Sequence, residues 1–245
     1  MKKNVINRYL GKFGVELHGK GYLQSLAKGD FKKDAFSIQK ELLGCEAKVV
    51  FDVGANRGDV TASYRNYFPE AEIFAFEPFP GSLDVLRGKH AGDKKVYPFQ
   101  LALAEEAGEK TLYVNQNADT NSLLPSQETG LSSDQQVKNI STISVKTETL
   151  DNFCREKSIA TIDILKMDIQ GGEWAALGGA AQLLQEKKIG LIYSEVYFVE
   201  QYKDQPLFHD ISKLLHRYGY YLQDLYSPIY GNGCIAWGDA IFIPR

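Results

Sequence analysis

Residues 49–78 read VVFDVGANRGDVTASYRNYFPEAEIFAFEP. Val49, Val50, Phe51 and Val53 form an apolar run broken only by Asp52. It stops at Gly54-Ala55-Asn56-Arg57-Gly58, as a buried parallel strand stops at a tight turn. Val60, Tyr64, Tyr67 and Phe68 then recur at helical spacing, and Pro69 closes the predicted helix. A second apolar run, 73–76, ends on Glu77. Strand, glycine turn, helix, strand and acid together make a nucleotide-cofactor βαβ unit.

The residue types in that unit narrow the ligand. Gly54 and Gly58 lack a Cβ, so backbone amides can approach a ligand at the mouth of the sheet. Glu77 follows the turn by about 20 residues, where a carboxylate accepts hydrogen bonds from ribose hydroxyls. A nicotinamide fingerprint needs G-x-G-x-x-G. Here Asn56 replaces the second glycine, and Gly58 arrives one residue early. Asp52 before the turn suits an ammonium better than a pyrophosphate. Ribose, an amino-acid head and a positive sulfonium fit these residues, which points to S-adenosylmethionine. A chance glycine turn in any α/β protein is the bland alternative, and the joint spacing of Asp52, the turn and Glu77 argues against it.

Composition sets the outer bounds. The 245 residues suffice for one substantial core, and a net charge of −3 without a basic cluster argues against a nucleic-acid partner. Cys45, Cys154 and Cys234 are widely spaced, with neither metal-ligand spacing nor an even set for a disulfide framework. They read as reduced thiols of a cytoplasmic protein. No signal peptide and no membrane span are expected.

Along the chain, residues 1–45 form an arm before a cofactor domain of residues 46–245. Within the arm, 34–43 reads as a helix closed by Gly44. After Glu77 come a short helix with Leu83 and Leu86, a strand near 96–103, and a strand at 110–114. Residues 115–139 are a long polar loop, of the kind that is functional or mobile. Residues 140–147 alternate as a strand near the edge of the sheet, and 150–156 is a short helix with Thr149 at its N-cap. Residues 162–168 make a core strand ending on Asp168. A helix follows, with Trp174, Leu177, Ala181 and Leu184 on one face, and then a strand at 189–196 with Glu195 near its end. Leu207 to Tyr218 is an amphipathic helix with His209 and His216 on its solvated side. Strands at 220–226 and 235–244 form a closing antiparallel hairpin. The alternation gives an α/β doubly wound sheet, whose ligands sit at the carboxyl ends of the strands. By that rule Asp52, Glu77, Asp168 and Glu195 converge on one edge, and Asp239 approaches it.

FDVGANRGDVT, IFAFEPFP, ISVKTETLDNF, IDILKMDIQGGEWAALGGA and WGDAIFI, in this order, closely resemble the FkbM-like methyltransferases, over residues 48–243. The resemblance implies a class I, Rossmann-like S-adenosylmethionine-dependent fold of seven strands with an antiparallel strand in the C-terminal hairpin. It also implies O-methylation of a hydroxyl on a sugar, glycan or natural product. Carried over by position, Asp52, Gly54, Asn56, Gly58 and Thr61 match the cofactor turn and helix start, and Glu77 matches the ribose acid. Asp168, Gln170 and Gly171 match the fourth-strand motif, where Gly172 stands in place of the usual alanine.

Methyl transfer to a sugar hydroxyl needs the reactants placed in line and a proton removed. Asp168 is the first candidate base, at the strand end, and Glu195 the second. A trio of Asp168, Glu195 and Asp239 holding Mg²⁺ or Ca²⁺ is the alternative, although no compact ligand spacing supports it, and no metal is expected. Structural acids are the bland reading of Glu195 and Asp239. Tyr197, Tyr226, Tyr230 and Trp237 are candidates for an aromatic acceptor pocket for a small molecule or glycan, while Tyr193 and Phe198 read as core. Two rival classes stay open. One is a catalytically silent methyltransferase-fold module. The other is a nicotinamide-dependent sugar oxidoreductase, against which the absence of a Tyr-x-x-x-Lys pair counts. Oligomeric state is not legible.

Overall fold

A computed structural model describes residues 34–127, 137–231 and 233–245. By internal contacts the chain divides into residues 1–38 and 39–245. Most of the expected arm, residues 1–33, lies outside the described residues. Helix α1 (Ala35–Leu43) carries the sequence-predicted helical stretch. The Asp34 carboxylate caps it, accepting from the Ser37 amide and hydroxyl.

Strand β1 (Val49–Val53), helix α2 (Asp59–Tyr67), β2 (Glu72–Phe76), α3 (Pro80–Lys89) and β3 (Val96–Phe99) follow in alternation. The chain then forms β4 (Ala102–Leu103), β5 (Gly108–Asn115) and β6 (Asn139–Glu148). Next come α4 (Leu150–Lys157), β7 (Ile162–Met167), α5 (Glu173–Gly178), α6 (Ala181–Gln185) and β8 (Ile189–Tyr197). Helix α7 (Phe208–Arg217), β9 (Tyr220–Gly231) and β10 (Cys234–Pro244) complete the described chain. The main sheet has seven strands in the order β3-β2-β1-β7-β8-β10-β9. Its first five strands are parallel, and β10 runs antiparallel to both β8 and β9. That is the doubly wound architecture expected from the residues. Its order reverses between β1 and β7, where such sheets open a crevice for ligands.

Four local expectations are corrected. The strand expected at 96–103 splits, because β2 ends at Phe76 and leaves nothing to pair beyond its partner Phe99. Its second part, β4, joins β6 and β5 in a separate three-stranded sheet. Residues 140–147 therefore lie in the middle of this small sheet, not near the edge of the main one. Alternation reports a half-covered strand and not which sheet holds it. The helix expected from Trp174 to Leu184 is two helices. The chain breaks at Gly179, where a Cβ would stand 2.1 Å from the Ala104 carbonyl oxygen. Finally, β9 runs on past Tyr226 to Gly231, pairing through register shifts opposite Trp237 and Asp239.

Strand parity sorts the interior. Phe51, Val53, Phe74, Phe76, Leu165 and Met167 share a core with Phe153 of α4, Leu177 of α5 and Leu215 of α7. The alternate residues face the other way, where Ala75 packs with Leu86 of α3. Phe153 stands edge-on to Phe76 at 4.8 Å and to Phe99 at 5.0 Å between centroids, so one ring pins α4 across three strands. His209 and His216 are exposed on α7, as the periodicity requires. No helix among the described residues is long and apolar enough to cross a membrane.

Replacing Phe153 by Ala is expected to cost about 3–5 kcal/mol in urea unfolding, since it leaves a cavity among rings that cannot collapse onto it. A loss below about 1 kcal/mol contradicts the packing described.

Candidate active site

The turn after β1 is fastened before any ligand arrives. The Gly54 and Ala55 amides both donate to the Phe76 carbonyl at 3.0 Å, tying the turn to the end of β2. Gly54 has φ +76°, and a Cβ there would lie 1.9 Å from the Asp168 carbonyl oxygen. Only glycine lets the ends of β1 and β7 come this close. Asn56 and Gln170 also adopt left-handed backbone, at φ 47° and 54°, in the two turns that face each other here.

Between these turns lies a cavity of about 280 Å³. That is close to the lower end of small-molecule sites, about 300 Å³. Its polar wall comprises Gly54, Asn56, Glu77, Asp119, Asp168 and Gln170. Its apolar wall includes Leu101, Leu103, Leu112 and Leu123 from the small sheet and its loops, and Val53, Phe76 and Ile169 from the main sheet and the turn after β7. Glu77 arrives at the end of β2 with both oxygens already engaged. One accepts from the Asn56 amide at 2.9 Å and the other from the Phe79 amide at 2.7 Å. Burial raises its carboxyl to about 7, although these two amides and Lys166 pull the other way. Each oxygen keeps a lone pair for a ligand hydroxyl. The Asn56 side-chain oxygen is buried and has no partner among the described residues, although its amide nitrogen donates to Asp119 at 2.8 Å.

Part of the long polar loop straps the cavity. Ser122 donates to the Gln170 carbonyl at 2.6 Å, and the Tyr202 hydroxyl lies 3.0 Å from the Thr120 carbonyl. With the Asn56–Asp119 bond, these contacts fasten residues 119–122 to three separate segments of the chain. Residues 128–136 of the loop lie outside the described residues.

Gln170 is the hub behind Asp168. Its amide nitrogen donates to Asp168 and to Glu195, each at 2.8 Å. Its side-chain oxygen lies 2.7 Å from the Tyr202 hydroxyl and 3.1 Å from that of Tyr197, which also bonds Glu195. Burial first, and then the neighbouring Asp168, push the Glu195 carboxyl well above its ordinary range, with Tyr197 opposing. Asp239 stands outside this hub and takes the Tyr193 hydroxyl at 2.9 Å. Asp168, Glu195 and Asp239 thus do not make the carboxylate trio offered as the metal alternative. Among the described residues, no group of three or more His, Cys, Asp or Glu is placed to hold a metal ion.

Three expected cofactor contacts are relocated. Asp52 is fully buried, its carboxylate 3.0 Å from the Lys166 ammonium and accepting from Thr61 at 2.6 Å. Alternating with Phe51 and Val53, it faces α2 and does not line the cavity. Thr61 is buried with it and serves it. Gly58 caps α2 at φ +79°, packed beside the His90 ring, and also lies off the cavity wall. Gly54, Asn56, Glu77 and Asp168 do line it.

The aromatic expectations shift as well. Tyr197 is buried in the Gln170 hub. Trp237 packs with Tyr197 and Tyr202. Tyr226 is buried within β9, and Tyr230 is 67% exposed there. None of the four lines the cavity: Tyr197, at the end of β8 beside β7, is taken up by the Gln170 hub, and β10 and β9 lie two and three strands away from β7.

Lys166 had no role in the sequence reading. Besides Asp52 it donates to the Gly54 carbonyl at 2.9 Å. Burial pulls its ammonium down, but Asp52, Asp168 and Glu195 outweigh that and hold it above its ordinary value. A lone lysine inside the apolar run 162–167 was the available signal, since a charge on a buried strand demands a partner.

Glu173, buried at the start of α5, accepts from the Ile169 amide at 2.9 Å and supports the same turn. Burial, with Asp168 adding to it, raises its carboxyl to about 7, while the backbone amides oppose. An acid raised in the folded state favours folding most below the unfolded value of about 4.3. That contribution is lost as pH climbs through about 7. Thermal unfolding of Glu173→Gln should therefore gain on wild type between pH 5 and pH 8. A constant difference across that window contradicts a neutral buried Glu173.

The Methyltransferase FkbM domain profile matches residues 52–222. The 2-O-methyltransferase NoeI of Sinorhizobium fredii is 26% identical over 220 residues, covering 86% of this chain and 89% of that one. Methyltransferase sdnD of Sordaria araneosa is 28% identical over 153 residues, or 53% of this chain and 59% of its own. Among solved structures, Methyltransferase FkbM from Methylobacillus flagellatus KT superposes with a TM-score of 0.54 at 14% identity. That superposition covers 80% of this chain, which spans 43% of that protein's length.

Proposed function

The chain belongs to the FkbM methyltransferase family, and we propose that it moves a methyl group from S-adenosylmethionine to a hydroxyl of a saccharide or related small molecule. Family membership sets the nicotinamide alternative aside. The observation that carries the cofactor reading is Glu77, whose two oxygens are fixed by backbone amides on the cavity wall with lone pairs to spare. Gly54 and Asn56 line the same cavity. In this reading Glu77 takes the ribose hydroxyls, and Leu101, Leu103, Leu112 and Leu123 enclose the base. When bound, S-adenosylmethionine supplies a methyl group already activated on a positively charged sulfur.

The chain's own task is then placement and proton removal. Asp168 has one oxygen held by Gln170, which leaves the other for an acceptor hydroxyl. Glu195 lies behind Gln170, in hydrogen bonds to that residue and Tyr197, so it orients the hub and leaves the base role to Asp168. Transfer to an oxygen is supported by the relative named as a 2-O-methyltransferase, which matches nearly end to end.

The test pairs binding with labelled transfer. Wild type should bind S-adenosylhomocysteine in calorimetry, and folded Glu77→Ala should lose most of that affinity. Label from methyl-labelled cofactor should appear in fractionated glycans or small metabolites. Asp168→Asn should reduce that transfer by about two orders of magnitude. Cofactor binding without transfer to any hydroxyl-bearing fraction would indicate a silent module, and unchanged affinity in Glu77→Ala would remove the ribose assignment.

A further inference from the structure

Glu77, Asp119 and Asp168 reach the cavity from three separate segments: the end of β2, the strap and the end of β7. No lysine, arginine or histidine lines it among the described residues. The nearest buried cation, Lys166, is committed elsewhere: it pairs with Asp52 at 3.0 Å and donates to the Gly54 carbonyl at 2.9 Å. The cavity is thus ringed by carboxylates, with no positive side chain on its wall to balance them. Asp168 is half-buried and Asp119 exposed, so a cation beside Asp168 is screened less than in bulk water and one beside Asp119 is screened more nearly as in water.

We propose that Asp119 and Asp168 make this site selective for charge, so that it holds a cofactor positively charged at sulfur more tightly than the neutral thioether left after transfer. The inference rests on the cofactor reading above. Transfer breaks the carbon–sulfur bond and returns its electron pair to sulfur. The acceptor oxygen gains the methyl and gives up its proton to the free oxygen of Asp168, which passes it to solvent and regains its charge before the spent ligand leaves. The ligand therefore loses one positive charge beside these carboxylates, which weakens its hold on the site. Asp119 is a specificity residue here: its place on the strap is fixed by the Asn56 side chain, and an asparagine oxygen can accept that same bond.

The test is calorimetry at pH 8, where Glu77 carries its charge, with three probes of one shape. S-adenosylmethionine and sinefungin are cationic at the transfer position, and S-adenosylhomocysteine is neutral there. Wild type should bind both cations at least tenfold more tightly than S-adenosylhomocysteine. Asp119→Asn and Asp168→Asn should each narrow that gap at least threefold, read as the ratio of cation to S-adenosylhomocysteine affinity within each variant. Asp119 is exposed, so its variant tests the idea even where Asp168→Asn folds poorly. Equal or tighter binding of S-adenosylhomocysteine by wild type overturns charge selection alone. A gap unchanged in Asp119→Asn and in every folded Asp168→Asn sample does the same. Failure of all three probes to bind wild type overturns the cofactor reading, and the proposal with it.

Discussion

Asp52 and Lys166 sit directly opposite each other on β1 and β7, the two strands between which the sheet reverses its order. Their charges meet at 3.0 Å in an interior where Asp52 is 0% and Lys166 4% exposed. Either charge alone would be costly there, so each residue requires the other. The lysine also reaches the Gly54 carbonyl, and the aspartate holds Thr61 of α2. One ion pair therefore joins two strands, the first helix and the glycine turn. The cavity floor inherits its position from that junction. Gly54 meets Asp168 closely only because the two strand ends are held level.

From this floor the rest of the site is built outward by hydrogen bonds from uncharged donors. Backbone amides aim Glu77, and Gln170 aims Asp168. The strap closes the remaining side through Asn56, Gln170 and Tyr202. Positive charge is confined below the floor, and negative charge lines the wall. A family fold thus acquires its local character from where its few buried charges are tied.

The βαβ unit was legible in the sequence because its signals are local: an apolar run, a glycine turn, helical spacing and an acid at strand end. Glu77 could be placed for the same reason. Asp52 was assigned to the ligand because its closeness to the turn in sequence suggested closeness in space. Strand parity decided otherwise, turning it toward α2 and Lys166. Lys166 itself escaped because lysine ordinarily reads as solvated, and its partner lies more than a hundred residues away. The small sheet was hidden for a related reason. Alternation in residues 140–147 reveals a half-covered strand, whereas its partners depend on where β2 ends. The aromatic residues of the last hairpin were chosen by chemistry for an acceptor pocket, and strand order places them away from the β1–β7 crevice.

A double-mutant cycle on Asp52→Asn and Lys166→Met, read by urea unfolding, tests this account most directly. Each single change strands one buried charge and should cost about 3–5 kcal/mol. The double change strands neither, and it should recover enough to give a coupling of at least about 2 kcal/mol. Additive losses, with coupling near zero, would show that the two residues do not depend on each other and that the floor of the cavity is held by something else.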